Sequence, residues 1–238
     1  MPSAGYVMRL SAISPLWMAC ALSAVAGMAD SAGFILLDGL FVAHVTGNFV
    51  LIGAAAVKGS SGILSKILTL PAFFFGVVFA RLGGKYIKVR SDAVQLSILL
   101  AAEAAMLFFV AAIGYLMTPG SNSDPLIVSS LGCVGAFAMG IQNAVGRLHL
   151  AQLPASTVMT VNAAQFAIDA VDVGLSRPES DAHRKARQRL QNVGLMITSF
   201  ACGALGGAIG AMHLKFFVLL IPCLVLCLLA LTDSKAAA

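Results

Sequence analysis

The chain has 238 residues, 59% of them hydrophobic and 11% charged, with a formal net charge of +5 and a mean hydropathy of +0.94. A soluble domain carries about 25% charged residues, so this composition excludes a water-solvated exterior, and its continuous apolar runs exclude the short alternating segments of a β-barrel. An all-α, polytopic transmembrane helical bundle is expected, with residues 1–238 forming a single integral membrane domain.

The N-terminus imitates a secretory signal, with Arg9, an apolar run and small residues near Ala26. That run continues into a segment that recurs later in the chain, so it reads as a retained first span, 14–43, with Trp17 as an interface anchor. Further spans are expected at 67–88, 94–117, 126–148, 190–212 and 214–232, each near the roughly 20 residues that a bilayer crossing requires. Pro15, Pro71, Pro125 and Pro222 fall near the expected helix starts, where a missing N–H costs little. Two other apolar segments, 46–57 and 157–171, are short. Twelve helical residues reach about 18 Å, little over half of the ~30 Å hydrocarbon layer, which suits half-helices that enter and turn back, or pieces of a broken span. The five cysteines all fall in apolar runs without ligand spacing and read as small packing residues.

Basic residues are unevenly placed. Arg81, Lys85, Lys88 and Arg90 gather at one short loop, and Arg177, Arg184, Lys185, Arg187 and Arg189 in the long polar loop 172–190, while 117–125 has none. If the short segments do not cross, six spans put both termini, 88–93 and 172–190 on one side, and Lys58, Lys66 and Lys215 on the other. The positive-inside bias then makes both termini and the basic loop 172–190 cytoplasmic. Nucleic acid is excluded as a partner, because no basic patch interleaves with aromatics.

Two stretches say nearly the same thing. "SAVAGMADSAGF" at 23–34 is followed by "HVTGN" at 44–48, and "GAFAMGIQNAVGR" at 135–147 by "VMTVN" at 158–162. Gly27 matches Gly140, Asp30 matches Asn143 and Gly33 matches Gly146; Thr46 and Asn48 match Thr160 and Asn162 one inserted residue later. "RLGGKY" at 81–86 is echoed by "ALGGAI" at 204–209. Two internal repeats are therefore expected, about 14–117 and 126–232, each with three spans and a short half-helix. An odd number of spans per repeat makes them inverted; eight full crossings would make them parallel and would export the Arg81–Arg90 cluster.

These motifs resemble the YoaK family, also called the domain of unknown function 1275. The "TGN" and "GxQNA" segments carry the resemblance, which covers about residues 16–232. It implies a multi-pass protein of the bacterial inner (plasma) membrane and implies no chemistry. One departure stands out: Thr160-Val161-Asn162 has valine where the family often has glycine.

Ionisable groups at bilayer depth cost several kcal/mol unless paired or hydrated, so each is informative. Asp30 lies mid-span opposite its uncharged counterpart Asn143, as a proton or cation site or as a packing hydrogen bond. Asp38 and His44 read as headgroup-level residues, with His44 able to titrate and gate access. Arg147, four residues after Asn143, draws an anion, pairs with Asp30 or snorkels. Glu103 interrupts the third span about one-third of the way along, as a partner of Arg147 or as a structural group. Asp169 and Asp172 suit interfacial ion pairs with the basic loop. In "TGN", Thr46 can cap a half-helix, Gly47 permits close approach and Asn48 offers both donor and acceptor. Two such N-termini meeting near midplane would make a positive site for an anion or polar solute. The candidate substrate-binding residues are thus Asp30, Thr46, Gly47, Asn48, Gln142, Asn143, Arg147, Thr160 and Asn162, with Asp30, Asn48, Asn143 and Asn162 converging at a pseudo-two-fold axis.

The sequence carries no HExxH, GxSxG or P-loop, and no cofactor, metal or catalytic residue is expected. The leading reading is a secondary transporter or channel-like permease for a small polar or anionic solute, with a proton and a second copy of the chain as further candidate partners beside the bilayer. The alternatives are a membrane scaffold or accessory protein that binds through its glycine seams and, behind it, a membrane-embedded enzyme using Asp30, Asp38 and His44.

Overall fold

The computed structural model describes residues 13–58, 62–86, 91–117 and 124–237, with side chains described as far as 232 and that of Tyr86 set aside. Expectations that fell on Arg9, Lys88, Arg90 and 118–123 lie outside these residues. Every described element is helical: α1 (Pro15–Leu36), α2 (Val45–Lys58), α3 (Ile63–Tyr86), α4 (Asp92–Met117), α5 (Pro125–His149), α6 (Met159–Leu175), α7 (Asp181–Leu214) and α8 (Leu220–Ala237), with a 3-10 turn at Lys215–Leu219.

Local chemistry sets the ends. Ser14 caps α1 by accepting from the Trp17 N–H, Asp124 caps α5 by accepting from Leu126, and Pro15 and Pro125 take the first helical positions. Pro71 does not start a helix; α3 begins at Ile63 and carries Pro71 inside it. The first span stops at Leu36, short of the expected residue 43, because Asp38 and Gly39 take left-handed backbone angles (φ 52° and 71°) that turn the chain. The expected polar loop 172–190 is mostly helix. Ser180 caps α7 by accepting from the His183 N–H, so only 176–180 connects α6 to α7.

Five helical segments are long and apolar enough to cross a membrane: Pro15–Leu36, Ile63–Lys85, Asp92–Met117, Pro125–His149 and the 52-residue run Asp181–Thr232. The last run folds back at Lys215, which has φ 50°. Beyond that break Phe217 stacks on Tyr115 with ring centroids 4.2 Å apart, and the Cys223 thiol donates to the Ala104 carbonyl at 3.4 Å. α8 therefore descends antiparallel to α4. Large apolar side chains such as Phe74, Phe75, Phe108 and Leu224 face outward, which suits a lipid exterior and not water.

The bundle is tied by two close seams, α1 on α7 and α3 on α5. α1 and α7 are parallel: Leu16 and Asn192 line one cavity, while Gly33 and Phe216 line another at the far end. Gly27 lies against the Phe200 carbonyl and Gly140 against the Phe73 carbonyl, where any Cβ would strike backbone. Glycine there lets the helices approach until dispersion forces hold them. The short helices double back on their long neighbours. α2 packs on α3, and α6 runs antiparallel to α7, with Phe166 against Gly194 and Asp169 bonded to Arg189.

These directions give the bundle a basic end, where Arg81, Lys85, Arg147 and the start of α7 lie. Lys58, Lys66 and Lys215 sit at the opposite end, where Lys66 Nζ donates to the Asp38 carbonyl at 3.2 Å.

Candidate functional site

Each short helix is preceded by a loop that turns back into the bundle, and such a loop cannot satisfy its own buried amides. At the opposite end, residues 37–44 make this turn. Asp30, on α1 and 3% exposed, reaches them. Its Oδ1 accepts from the N–H groups of Val42 (2.9 Å), Ala43 (2.7 Å) and His44 (3.3 Å), and its Oδ2 pairs with His44 Nδ1. The Asp30 carboxylate thus fills a nest of backbone donors at the entry to α2, where a negative charge is favoured. Asn48 completes the clasp. Its Oδ1 accepts from the Phe41 N–H at 3.0 Å, and its Nδ2 donates to the Phe41 carbonyl at 2.7 Å and to Thr69 Oγ1 at 3.3 Å. His44 lies in this connection, outside the crossing helices, with its ring edge-on to Phe200. The hydrogen bond to Asp30 raises its pKa above the ordinary imidazole value, against a smaller opposing effect of burial.

At the basic end, residues 150–158 make the corresponding turn. Asn143 Nδ2 donates to Thr157 Oγ1 at 2.8 Å, and Asn162 Nδ2 donates to the Ala155 carbonyl at 2.9 Å. Gln142, fully buried, donates through Nε2 to the Leu22 carbonyl at 2.9 Å and to Ser156 Oγ at 3.3 Å, and its Oε1 has no partner among the described residues. The spacings repeat those of the first constellation. Asp30 and His44 are 14 residues apart, as are Asn143 and Thr157; Asn48 and Asn162 each reach a carbonyl 7 residues back. Leu37 closes α1 onto the Gly33 carbonyl as Leu150 closes α5 onto Gly146.

The two constellations differ where it matters for a ligand. The first is filled by its own carboxylate. The second opens on a cavity of about 440 Å³ lined by Asn143, Arg147, Ser156, Thr157, Val161, Asn162 and Gln165, among others, with no carboxylate on its walls. α6 starts beside it behind Val158, which offers no capping side chain. Across residues 151–153 lies a second cavity of about 640 Å³, whose walls include His149, Lys185, Gln188, Arg189 and Asn192. Arg189 there is held by the fully buried Asp169 (2.8 Å), which also accepts from Gln165 Nε2 at 3.0 Å.

Of the nine expected site residues, the structure brings Asn143, Arg147 and Asn162 together on one cavity, with Gln142 behind its Ser156 wall. It places Asp30, Gly47 and Asn48 at the other end. Asp30 and Asn143 do not converge: the Gln142–Leu22 bond sets the register of antiparallel α1 and α5, which separates them by about 13 Å along the axis at 1.5 Å per residue. Nor do the N-termini of α2 and α6 meet, since one starts at each constellation. Arg147 pairs with neither Asp30, which is taken by His44, nor Glu103. Gly47 answers to packing, because a Cβ there would lie 2.8 Å from the Phe41 ring. Thr46 and Thr160 are exposed in the first turns of their helices and cap neither. Sequence reasoning missed Ser156 and Thr157 as cavity-wall residues and His44 as the partner of Asp30; the shared spacing of 14 was the available signal. Glu103, on α4, is fully buried and neither carboxyl oxygen has a partner among the described residues. Among the described residues no group of three or more His, Cys, Asp or Glu is placed to hold a metal.

No curated protein and no solved structure matches the chain. The family model described as "Protein of unknown function (DUF1275)" matches residues 18–232. That match runs from the first turn of α1 into α8 and takes in both reversing loops and both constellations, so the chain belongs to the DUF1275 (YoaK) family.

Proposed function

We propose that this protein is a secondary permease for a small polar or anionic solute, which it binds in the cavity at Asn143, Arg147 and Asn162, and that it is not an enzyme. The single observation that carries the reading is this cavity: about 440 Å³, with Arg147, Asn143, Thr157 and Asn162 set in an otherwise mainly apolar wall, where a reversing loop meets a half-helix. An inverted repeat supports it. Exchanging α1 with α5 and α3 with α7 converts the α1–α7 seam into the α3–α5 seam, and the loop hydrogen bonds recur at equal spacing. The basic end then faces the cytoplasm of the bacterial inner membrane, carrying both chain termini, and the cavity opens inward.

Proton coupling rests on Glu103 in this reading, and Asp30 is no longer its carrier. Asp30 is fully engaged by three amides and His44. Glu103 sits among apolar side chains of α4 with no hydrogen-bond partner, where an ionised carboxylate costs several kcal/mol.

One observation favours a second reading, a solute-binding membrane protein that does not transport. Away from the solute cavity the bundle is closely packed: between Ala29, Leu107, Gly135 and Phe216, toward the opposite end, the walls are apolar and the void is only about 10 Å³. Uptake by proteoliposomes across a panel of polar and anionic solutes separates the two. Saturable uptake above protein-free vesicles supports the permease, binding without uptake supports the second reading, and neither for any solute refutes both.

A further inference from the structure

The first constellation shows what the second is built to hold. Asp30 places a carboxylate against the backbone N–H groups of residues 42–44 and beside its side-chain partner, His44. The second half keeps the loop, the half-helix and the spacing of the clasp, but it has Asn143 where Asp30 would stand. An amide cannot supply the negative charge, and Asn143 uses its Nδ2 to donate to Thr157. The cavity occupies that side of the loop, with Arg147 on its wall and the uncapped start of α6 facing it. The adjoining cavity adds Lys185 and His149, and neither cavity has a carboxylate on its wall. Behind the wall, the fully buried Gln142 donates through Nε2 to Ser156 Oγ and so fixes that wall residue in place.

We propose that the solute bears a carboxylate, which docks against the 155–158 turn and Arg147 as the Asp30 carboxylate docks against residues 42–44 in the other half of the molecule. The inference rests on the proposed solute site and narrows its substrate class. It explains why one half has aspartate and the other asparagine: the first clasp is permanently filled and static, and the second is completed only by a solute. Arg147 supplies the positive charge, and its guanidinium accommodates two carboxylate oxygens side by side.

The test uses the purified full-length protein in detergent and follows thermal unfolding with sodium acetate, acetamide or sodium chloride at equal ionic strength. Acetate is expected to raise Tm in a saturable way, with acetamide and chloride near baseline. Arg147→Gln should weaken the apparent acetate affinity about tenfold, the size of one charge-assisted hydrogen bond. Asn143→Asp, which installs the missing carboxylate, should raise Tm without acetate and abolish the response to it. If that variant fails to fold, Arg147→Gln decides alone. Equal stabilisation by acetamide leaves a polar-solute site standing and overturns the carboxylate. Equal stabilisation by chloride shows an unselective anion site and overturns it likewise. No stabilisation by acetate, together with no uptake of any solute in proteoliposomes, removes the solute site itself.

Discussion

Replacing Asp30 with alanine tests how the reversing loop is held. The substitution strips the acceptor from three backbone N–H groups, at 2.7, 2.9 and 3.3 Å, and the ion-pair partner from His44. Each buried donor left unsatisfied costs about 1–3 kcal/mol. Water entering beside the half-buried His44 offsets part of that, so the net cost is about 3–5 kcal/mol, in the range for breaking a buried, hydrogen-bonded pair. Asp30→Asn keeps one oxygen for the amides and loses the charge, and should cost about 1–2 kcal/mol. Thermal unfolding in detergent measures both, and a cycle with His44→Ala isolates the coupling between the two side chains. Asp30→Ala melting with wild type, or no lower than Asp30→Asn, would refute the view of Asp30 as a structural carboxylate and reopen its role as a proton carrier.

Four further outcomes follow from the same geometry. The raised pKa of His44 means that its pairing with Asp30 contributes fully below the unfolded imidazole value of about 6.5 and is lost as pH rises through the higher folded value; Tm should fall across that window, and His44→Gln should flatten the profile. Arg189→Gln leaves the fully buried Asp169 with Gln165 alone and should lower Tm and speed amide exchange in the last two turns of α6. Gly140→Ala drives a methyl into the Phe73 carbonyl and should cost about 1–3 kcal/mol, whereas Gly174→Ala, with nothing within 4 Å, should gain up to about 1 kcal/mol in calorimetry. Glu103→Gln, an isostere of the neutral acid, should leave Tm near wild type while removing the infrared carbonyl band of a protonated carboxyl; a large drop in Tm would mean that Glu103 is ionised and paired.

The sequence told where polar side chains meet inside the bundle better than it told how they are used. Asp30, Asn143 and their trailing Asn48 and Asn162 stand out because apolar helices make any polar residue conspicuous. Their partners are mostly backbone groups of the reversing loops, which composition does not reveal. Phe41, Val42 and Ala43 extend the hydropathy of α1 without a visible seam, so the turn at Asp38 and Gly39 was hidden inside an apparent span. The basic stretch after Ser180 reads as loop by charge, yet its polar face and serine cap make it the start of a helix. Convergence on one axis failed for a geometric reason. In the inverted-repeat reading proposed above, residues exchanged by an in-plane two-fold lie at equal and opposite depths, and they meet only if they sit on the axis. Asp30 and Asn143 each lie six residues before the end of their helix, which sends them to opposite ends. The exchange of Asp for Asn between the halves was legible from the start, but its meaning emerged only with one nest filled and the other open.

The central claim is that solute passes through the cavity beside Asn143 and Asn162. Val161 lines that cavity, and Val171, on the same helix, is similarly exposed and does not line it, at 63% and 58% respectively. Proteoliposome uptake of the best solute from the panel should therefore be abolished by Val161→Trp, which fills the cavity without removing a hydrogen bond, and kept by Val171→Trp, with both variants melting near wild type. Uptake by Val161→Trp at the wild-type rate would contradict the account.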